Sequence, residues 1–296
     1  MLKHWGFGGL LLAAMVMGCS GGGGSSDEII RVSRQNNSGT YAYFREAVLG
    51  EDREFKLGSL DQSGSKDVVE LVAETPNAIG YSGMGYNTDQ VKMLELGEAG
   101  SSVPPTVENA QSGSYKLSRN LYLYVIGEPE GAVKHYIDWI RSAAGQKIVS
   151  DQGYVAVEAQ PDAEGAPPAA SIKVKGSDTM VNVAQKWAED YHALFGDVSP
   201  EVSGGGSGTG IAGLIDGTVE IANASREMKQ EEKDQIKEKY GVEPTEIVVG
   251  MDALAVYVHP SNPLTSITME DLAEIYGDGG TITHWSQVKG WPKSGE

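Results

Sequence analysis

Apolar and polar positions along this 296-residue chain form short alternating or continuous runs, each followed by a stretch of helical spacing. Residues 29–33 alternate as a strand does, and 41–49 carry helical spacing. Segment 66–73 predicts a short amphipathic helix, and Ala78-Ile79-Gly80-Tyr81 a short buried strand. Residues 97–114, rich in Ser, Gly and Pro, predict loop. An apolar strand is expected over 121–126 and a helix over 131–150, where Val133, Tyr136, Ile137 and Ile140 share a face. Segment 158–170 breaks the pattern, because Pro161, Pro167 and Pro168 stand among Ala, Gly and acids, a linker composition. Beyond it come a strand at 172–174 and a helix at 179–195 with Val183, Trp187 and Tyr191 on one face. A short helix from Gly210 to Asp216, a strand at 219–222 and a highly charged helix at 228–240 follow. The pattern closes with a long apolar strand within 246–258, a helix at 267–276 and a turn at His284-Trp285. Strands alternating with helices predict α/β layers with largely parallel pairing, in which ligands bind beyond the carboxyl ends of strands.

Composition changes that picture first at the beginning of the chain. Lys3, the apolar run 6–17 and Val16-Met17-Gly18-Cys19 read as an export signal that leads to the chain's single cysteine. The run is too short for a comfortable transmembrane helix. The position of Cys19 resembles a bacterial lipobox, which implies a lipidated cysteine, and 21–26 reads as a flexible tether. A single cysteine excludes an internal disulfide and a Cys-based zinc cluster. Roughly 270 residues remain, enough for two modest domains. The formal charge of −18 argues against nucleic acid and anionic membrane as partners. It leaves an anionic ligand open, because salt screens surface charge over about 8–10 Å and local donors in a cleft can dominate.

The candidate chemistry lies in three Gly/Ser/Thr-rich turns, each running into a helical segment: Asn37-Ser38-Gly39-Thr40, Gly176-Ser177-Asp178-Thr179, and Gly204 to Gly210. A helix start presents unpaired N–H groups and a partial positive charge, glycine admits a ligand to the backbone, and Ser or Thr adds hydroxyl donors. Three such starts converging on one cleft would make a small-anion site. Taken singly, Ser177, Asp178 and Thr179 could be ordinary N-caps, and the glycines around Ser207 could merely permit a tight turn. Enzyme signatures are missing from the sequence: there is no G-x-x-x-x-G-K-[ST] loop, and Ser207 lacks the G-x-S-x-G spacing. The histidines at 4, 135, 192, 259 and 284 are scattered without metal-ligand spacing, and no cofactor is expected.

Five stretches together resemble the phosphate-binding proteins that serve bacterial phosphate ABC transporters. Ser33-Arg34-Gln35-Asn36-Asn37-Ser38-Gly39-Thr40 is similar to that family's R-x-D-G-S-G-T loop, and Pro76 to Tyr81 to its P-G-A-I-G-Y strand. Lys175 to Met180 with Trp187 resembles the family's opening strand, turn and helix, and Gly204–Gly210 with Val219–Arg226 its second turn and following strand. Met269 to Trp285 is similar to the family's mid-chain segment. Their order is cyclically shifted and no motif occurs twice, which implies a circular permutant or, alternatively, a truncated or misjoined gene. In the permutant, segment 158–170 joins the ancestral ends and Glu296 abuts Asp27. Its thirteen residues span at most about 43–47 Å, more than compact-domain termini usually need.

The resemblance implies an α/β, two-lobed periplasmic-binding-protein fold with a hinge. After the signal and tether of 1–26, one lobe would combine 27–117 with 260–296, and the other would be the continuous stretch 120–257. Chain crossings are expected near Ser118-Arg119 and Val258-His259. The implied phosphate ligands are Arg34, Ser38, Gly39 and Thr40 from one turn, Ser177, Asp178 and Thr179 from another, Ser207 and Gly208 from the third, and Ser225 with Arg226 after the following strand. Two departures bear on specificity: Asn36 and Ser225-Arg226 stand where the family pattern carries acids. An acid can accept the proton of hydrogen phosphate and repel ionised sulfate. Asp178 could take that role or simply cap its helix, and Arg226 would add positive charge. The implied function is capture of inorganic phosphate and delivery to an ABC permease in the inner membrane by an exported lipoprotein that is not an enzyme. An oxyanion-sensing or surface lipoprotein uncoupled from transport is the other reading.

Overall fold

Fifteen consecutive residues, Pro244–Val258, form one strand whose first half is buried in one hydrophobic core and whose second half is buried in another. The computed structural model describes residues 27–50 and 52–292; the export signal, Cys19 and Glu296 lie outside the described residues. The strands are β1 (Ile30–Arg34), β2 (Leu60–Gln62), β3 (Ala78–Gly83), β4 (Lys92–Leu96), β5 (Ser118–Ile126), β6 (Ala170–Gly176), β7 (Val198–Ser203), β8 (Ile221–Ala224), β9 (Pro244–Val258) and β10 (Ser266–Ile267). The helices are α1 (Gly39–Phe44), α2 (Ser65–Glu74), α3 (Val107–Gln111), α4 (Gly131–Arg141), α5 (Ala143–Asp151), α6 (Val181–Leu194), α7 (Ser207–Asp216), α8 (Gln230–Tyr240) and α9 (Met269–Tyr276). Paired strands run in the order β2-β1-β3-β9-β5-β8-β6-β7, with β4 on β9 and β10 on β4.

Pairing is less parallel than the alternation of elements predicts. β1 with β2 and β3, and β6 with β7 and β8, are parallel. Every ladder made by β5 and β9 is antiparallel. These two strands are the bridge between halves and pair with each other from Ser118↔Ala253 to Ile126↔Pro244. The first half packs Val32, Phe44, Val68, Val72, Ile79, Tyr81, Leu272 and Tyr276 around one core that also takes Ala253 to Val258. The second half packs α4, α5 and α6 on one face of its strands, and α7 and α8 on the other. The core changes between Leu117, just before β5, and Leu121 on it, and between Val249 and Ala253 on β9. The second crossing is therefore inside β9 near Asp252, six residues before the expected Val258-His259, because an apolar strand buried at both ends carries no sequence mark of the change.

Other differences are local. The 131–150 segment is two helices, broken at Ser142, whose hydroxyl donates to the Trp139 carbonyl. The helix after β7 starts at Ser207, so the Ser-Gly-Thr-Gly turn is its first turn. Segment 97–114 contains the short helix α3, capped by the Thr106 hydroxyl. Segment 158–170 has no helix and touches α4 through Gln160 N–H to the Arg141 carbonyl and a contact of His135 Nε2 with the Gly165 carbonyl, before β6 begins at Ala170. Asp27 lies against the turn at Trp285-Ser286: its carbonyl accepts from Trp285 N–H, and its carboxylate accepts from the Ser286 hydroxyl at 2.5 Å.

Candidate functional site

β1 ends at Arg34, and the chain turns at once into α1, so the strand's carboxyl end faces the gap between the halves. An aromatic stack fixes this end: Phe44 lies on Tyr81 with ring centroids 4.0 Å apart, and the Tyr81 hydroxyl bonds the Ser33 hydroxyl at 2.7 Å. Tyr276 donates to the Val32 and Ile79 carbonyls. Ser38 is the N-cap of α1, with Oγ accepting from Thr40 and Tyr41 N–H. From the second half, β6 ends at Gly176 and leads through Ser177 into the start of α6, while Gly206, at φ 92°, delivers Ser207 to the start of α7. That backbone angle lies in the left-handed region that glycine alone enters without strain.

The three turns meet. A methyl on Gly39 would fall 2.3 Å from Ser207 Oγ and 2.6 Å from Ser225 Oγ, so α1 begins directly on the second half's hydroxyls. Ser177 donates to Ser225 Oγ at 2.9 Å, and the Ser225 N–H donates to Ser207 Oγ at 3.1 Å. Thr40 and Thr179 share a hydroxyl hydrogen bond of 2.9 Å across the gap. Ser38, Thr40, Ser177, Thr179, Ser207 and Ser225 are all buried. Among the described residues, the N–H groups of Gly39, Thr179 and Ser207 make no hydrogen bond. Three helix starts thus aim free amides at one cluster of buried hydroxyls, a geometry suited to a small oxyanion.

Arg34 and Asp178 join the first two turns. The fully buried guanidinium donates to Asp178 Oδ2 at 2.9 Å, to Ser65 Oγ, and to the Gln62 and Ser63 carbonyls. Burial pushes the Arg34 pKa down, against the opposing pull of Asp178. Asp178 Oδ1 accepts from Gly205 N–H at 2.8 Å, so this carboxylate ties the third turn to Arg34 and is no side-chain cap. Asn37 closes the same seam, its side-chain amide donating to Gly205 O and Thr209 Oγ1 and its backbone carbonyl accepting from Gly208 N–H. The Gly208 amide is therefore spent on the chain itself. Arg226, next to Ser225, has its guanidinium on both oxygens of Glu232, at 2.7 and 2.8 Å.

Two residues of the cluster escaped the sequence analysis. Arg119 on β5 and Asp252 on β9 are direct cross-strand neighbours, with Arg119 Nε and Nη2 on Asp252 Oδ2 at 3.1 and 2.8 Å. Arg119 Nη2 also reaches Thr40 Oγ1 at 3.0 Å and Thr179 Oγ1 at 3.2 Å, and Nη1 donates to the Ser225 carbonyl. Asp252 Oδ1 accepts from Met84 N–H. Burial pushes the Asp252 carboxyl up, with Arg119 pulling the other way. The available signal was a charged residue set against apolar neighbours at each place, at Leu117-Ser118-Arg119 and Met251-Asp252-Ala253. Burying a charge is costly unless it is paired.

Comparisons with known proteins agree with this architecture. Residues 2–144 and 161–295 match the family described as PBP superfamily domain. The chain is 30% identical to phosphate-binding protein PstS 2 of Streptococcus agalactiae, over 97% of this chain and 98% of that one. It is 36% identical to phosphate-binding protein PstS of Pseudomonas aeruginosa, over only 39% of this chain and 36% of that one. Among solved structures it resembles the phosphate-binding protein of a phosphate ABC transporter from Streptococcus pneumoniae, with a TM-score of 0.68 and 26% identity, covering 88% of this chain and all of that one.

Proposed function

The chain belongs to the PBP superfamily and, within it, to the phosphate-binding proteins of ABC transporters, and from that premise we propose that it captures inorganic phosphate between its halves for import. The observation that carries the reading is the contact of Gly39 with Ser207 and Ser225, which brings three helix starts onto one buried hydroxyl cluster. An oxyanion entering there exchanges hydroxyl–hydroxyl bonds, such as Thr40 to Thr179 and Ser177 to Ser225, for charge-assisted ones, which are roughly twice as strong. The ligand set is Ser38, Gly39 and Thr40, Ser177 and Thr179, and Ser207 and Ser225. Arg34 and Asp178 hold the turns in register. Binding desolvates the anion with fixed dipoles, and release requires the halves to part.

The role is one of binding and release, with no bond in the anion made or broken, and the protein is not an enzyme. It is exported, anchored through lipid on Cys19, and presents its cargo to a permease; Cys19→Ala would then abolish incorporation of radiolabelled palmitate. The segment order is a permuted one. End-to-end alignment with the Streptococcus agalactiae protein, against alignment of little over a third with the Pseudomonas aeruginosa protein, supports an order shared with some relatives rather than a misjoined gene. Calorimetric titration of the purified protein tests the function. Saturable one-to-one phosphate binding that excess sulfate does not displace is expected; heat only from sulfate or another oxyanion would refute it.

A further inference from the structure

We propose that Arg119 is a ligand-binding residue of this site, the cation that touches the anion, and that Asp252 is its competing counter-ion, released in part when the anion arrives. The proposal rests on the phosphate reading above and assigns the charge that the reading leaves unplaced. Arg34, the arginine expected to meet the ligand, is committed to Asp178, a serine hydroxyl and two carbonyls. Arg226 is committed to Glu232. Arg119 instead points Nη2 at both members of the Thr40–Thr179 hydroxyl pair, one from each half, and its Nη1 meets the Ser225 carbonyl. It stands on β5 where the chain passes between the two cores, and its pair, Asp252, stands where β9 does the same. Arg119 also lines a cavity of about 300 Å³ together with Tyr43, Ser118, Asn120, Tyr122, Arg226 and Met251, and with Glu46 and Glu227. The Tyr43 ring lies 5.5 Å from the guanidinium carbon.

The arrangement has a consequence that a purely structural ion pair lacks. A carboxylate held against Arg119 neutralises it and repels a second anion nearby, so Asp252 opposes the ligand that Arg119 attracts. Substitutions of the two partners must therefore move phosphate affinity in opposite directions, whereas loss of a structural pair moves it the same way from either side. Phosphate Kd by calorimetry and thermal unfolding without ligand are measured for the wild-type full chain, Arg119→Met, Arg119→Lys and Asp252→Asn. Arg119→Met is expected to weaken binding about 30-fold or more, the loss of a charge-assisted contact. Arg119→Lys, which keeps the charge but not the fork, should weaken it about 10-fold and carries the test if the methionine variant does not fold. Asp252→Asn should lower the unfolding temperature yet bind phosphate on the order of 3–10 times more tightly. Wild-type protein that ignores phosphate refutes the function itself. Wild-type binding with unchanged affinity in the Arg119 variants, or with affinity weakened alike in Arg119 and Asp252 variants, overturns the assignment of Arg119.

Discussion

At Gly39 the two halves approach closely, and its lack of a side chain is what lets them do so. A Cβ there would sit 2.3 Å from Ser207 Oγ, well inside contact distance, while α1 itself would gain from alanine because glycine is the poorer helix former. Gly39→Ala is therefore expected to weaken phosphate binding by roughly 10- to 100-fold, the usual scale of overpacking strain, while the unfolding temperature without phosphate stays level or rises. Calorimetry and thermal unfolding on one preparation check this; a variant that binds as the wild type does would show that the halves do not need this approach. The turns that hold Gly39, Thr179 and Ser207 were legible because glycine and hydroxyl residues ahead of a helix have few cheaper explanations. Arg119 and Asp252 were not, since each lies in an apolar stretch of strand and only the antiparallel register sets them side by side. Arg226 follows Ser225 in the chain, while Glu232, six residues on, holds its side chain.

Helix starts do most of the positioning, and two of them make measurable promises. Ser38 caps α1 by accepting from two N–H groups, so Ser38→Ala should cost about 1 kcal/mol in denaturant unfolding, apart from any effect on ligand. At α8, Glu232 accepts from Lys229 N–H and from both terminal nitrogens of Arg226. Burial works to raise the Glu232 carboxyl, but Arg226 and the Lys229 amide outweigh it and hold the pKa below the usual glutamate range. A depressed folded-state pKa gives stability that is present above the unfolded value and is lost as pH falls through the folded one. Glu232→Gln should thus lower the unfolding temperature at neutral pH and converge on the wild type as pH falls below the ordinary glutamate range; a constant gap across that window would contradict the ion-pair account. Most elements were readable because helical and alternating periods differ, as in α2 and α6. The short β2, β4 and β7 were not read, since three to six residues with polar members carry too little period. Antiparallel pairing of β5 and β9 was also missed, because alternation of elements says nothing of the direction of a strand that crosses between layers.

For the whole molecule, the order of segments makes a claim about continuity that can be tested by cutting the chain. If 158–170 only joins ends that the fold brings near each other, its backbone contributes connection and little else, beyond packing of Ala163 on the second core and the bonds of Gln160 and Gly165 to α4. A specific protease site placed between Ala163 and Pro168 would divide the protein into a front piece holding β1 to β5 and a back piece holding β6 to β10. Neither core would belong to one piece. β5 in the front piece pairs with β8 and β9 in the back piece, while β9 runs on into the front piece's core beside β3 and β4. Separation would therefore tear both cores and both crossings together, and that cost far exceeds the effective concentration lost with the linker, which for short flexible connections is in the millimolar range. The cut protein is expected to run as a single species on native gel filtration and to bind phosphate within about 3-fold of the intact chain, because no contact of the hydroxyl cluster passes through the cut. Its unfolding temperature should fall and become dependent on protein concentration, since unfolding now releases two chains. Pieces that separate under native conditions, or a cut protein that stays whole but no longer binds, would show that 158–170 carries structure the site depends on.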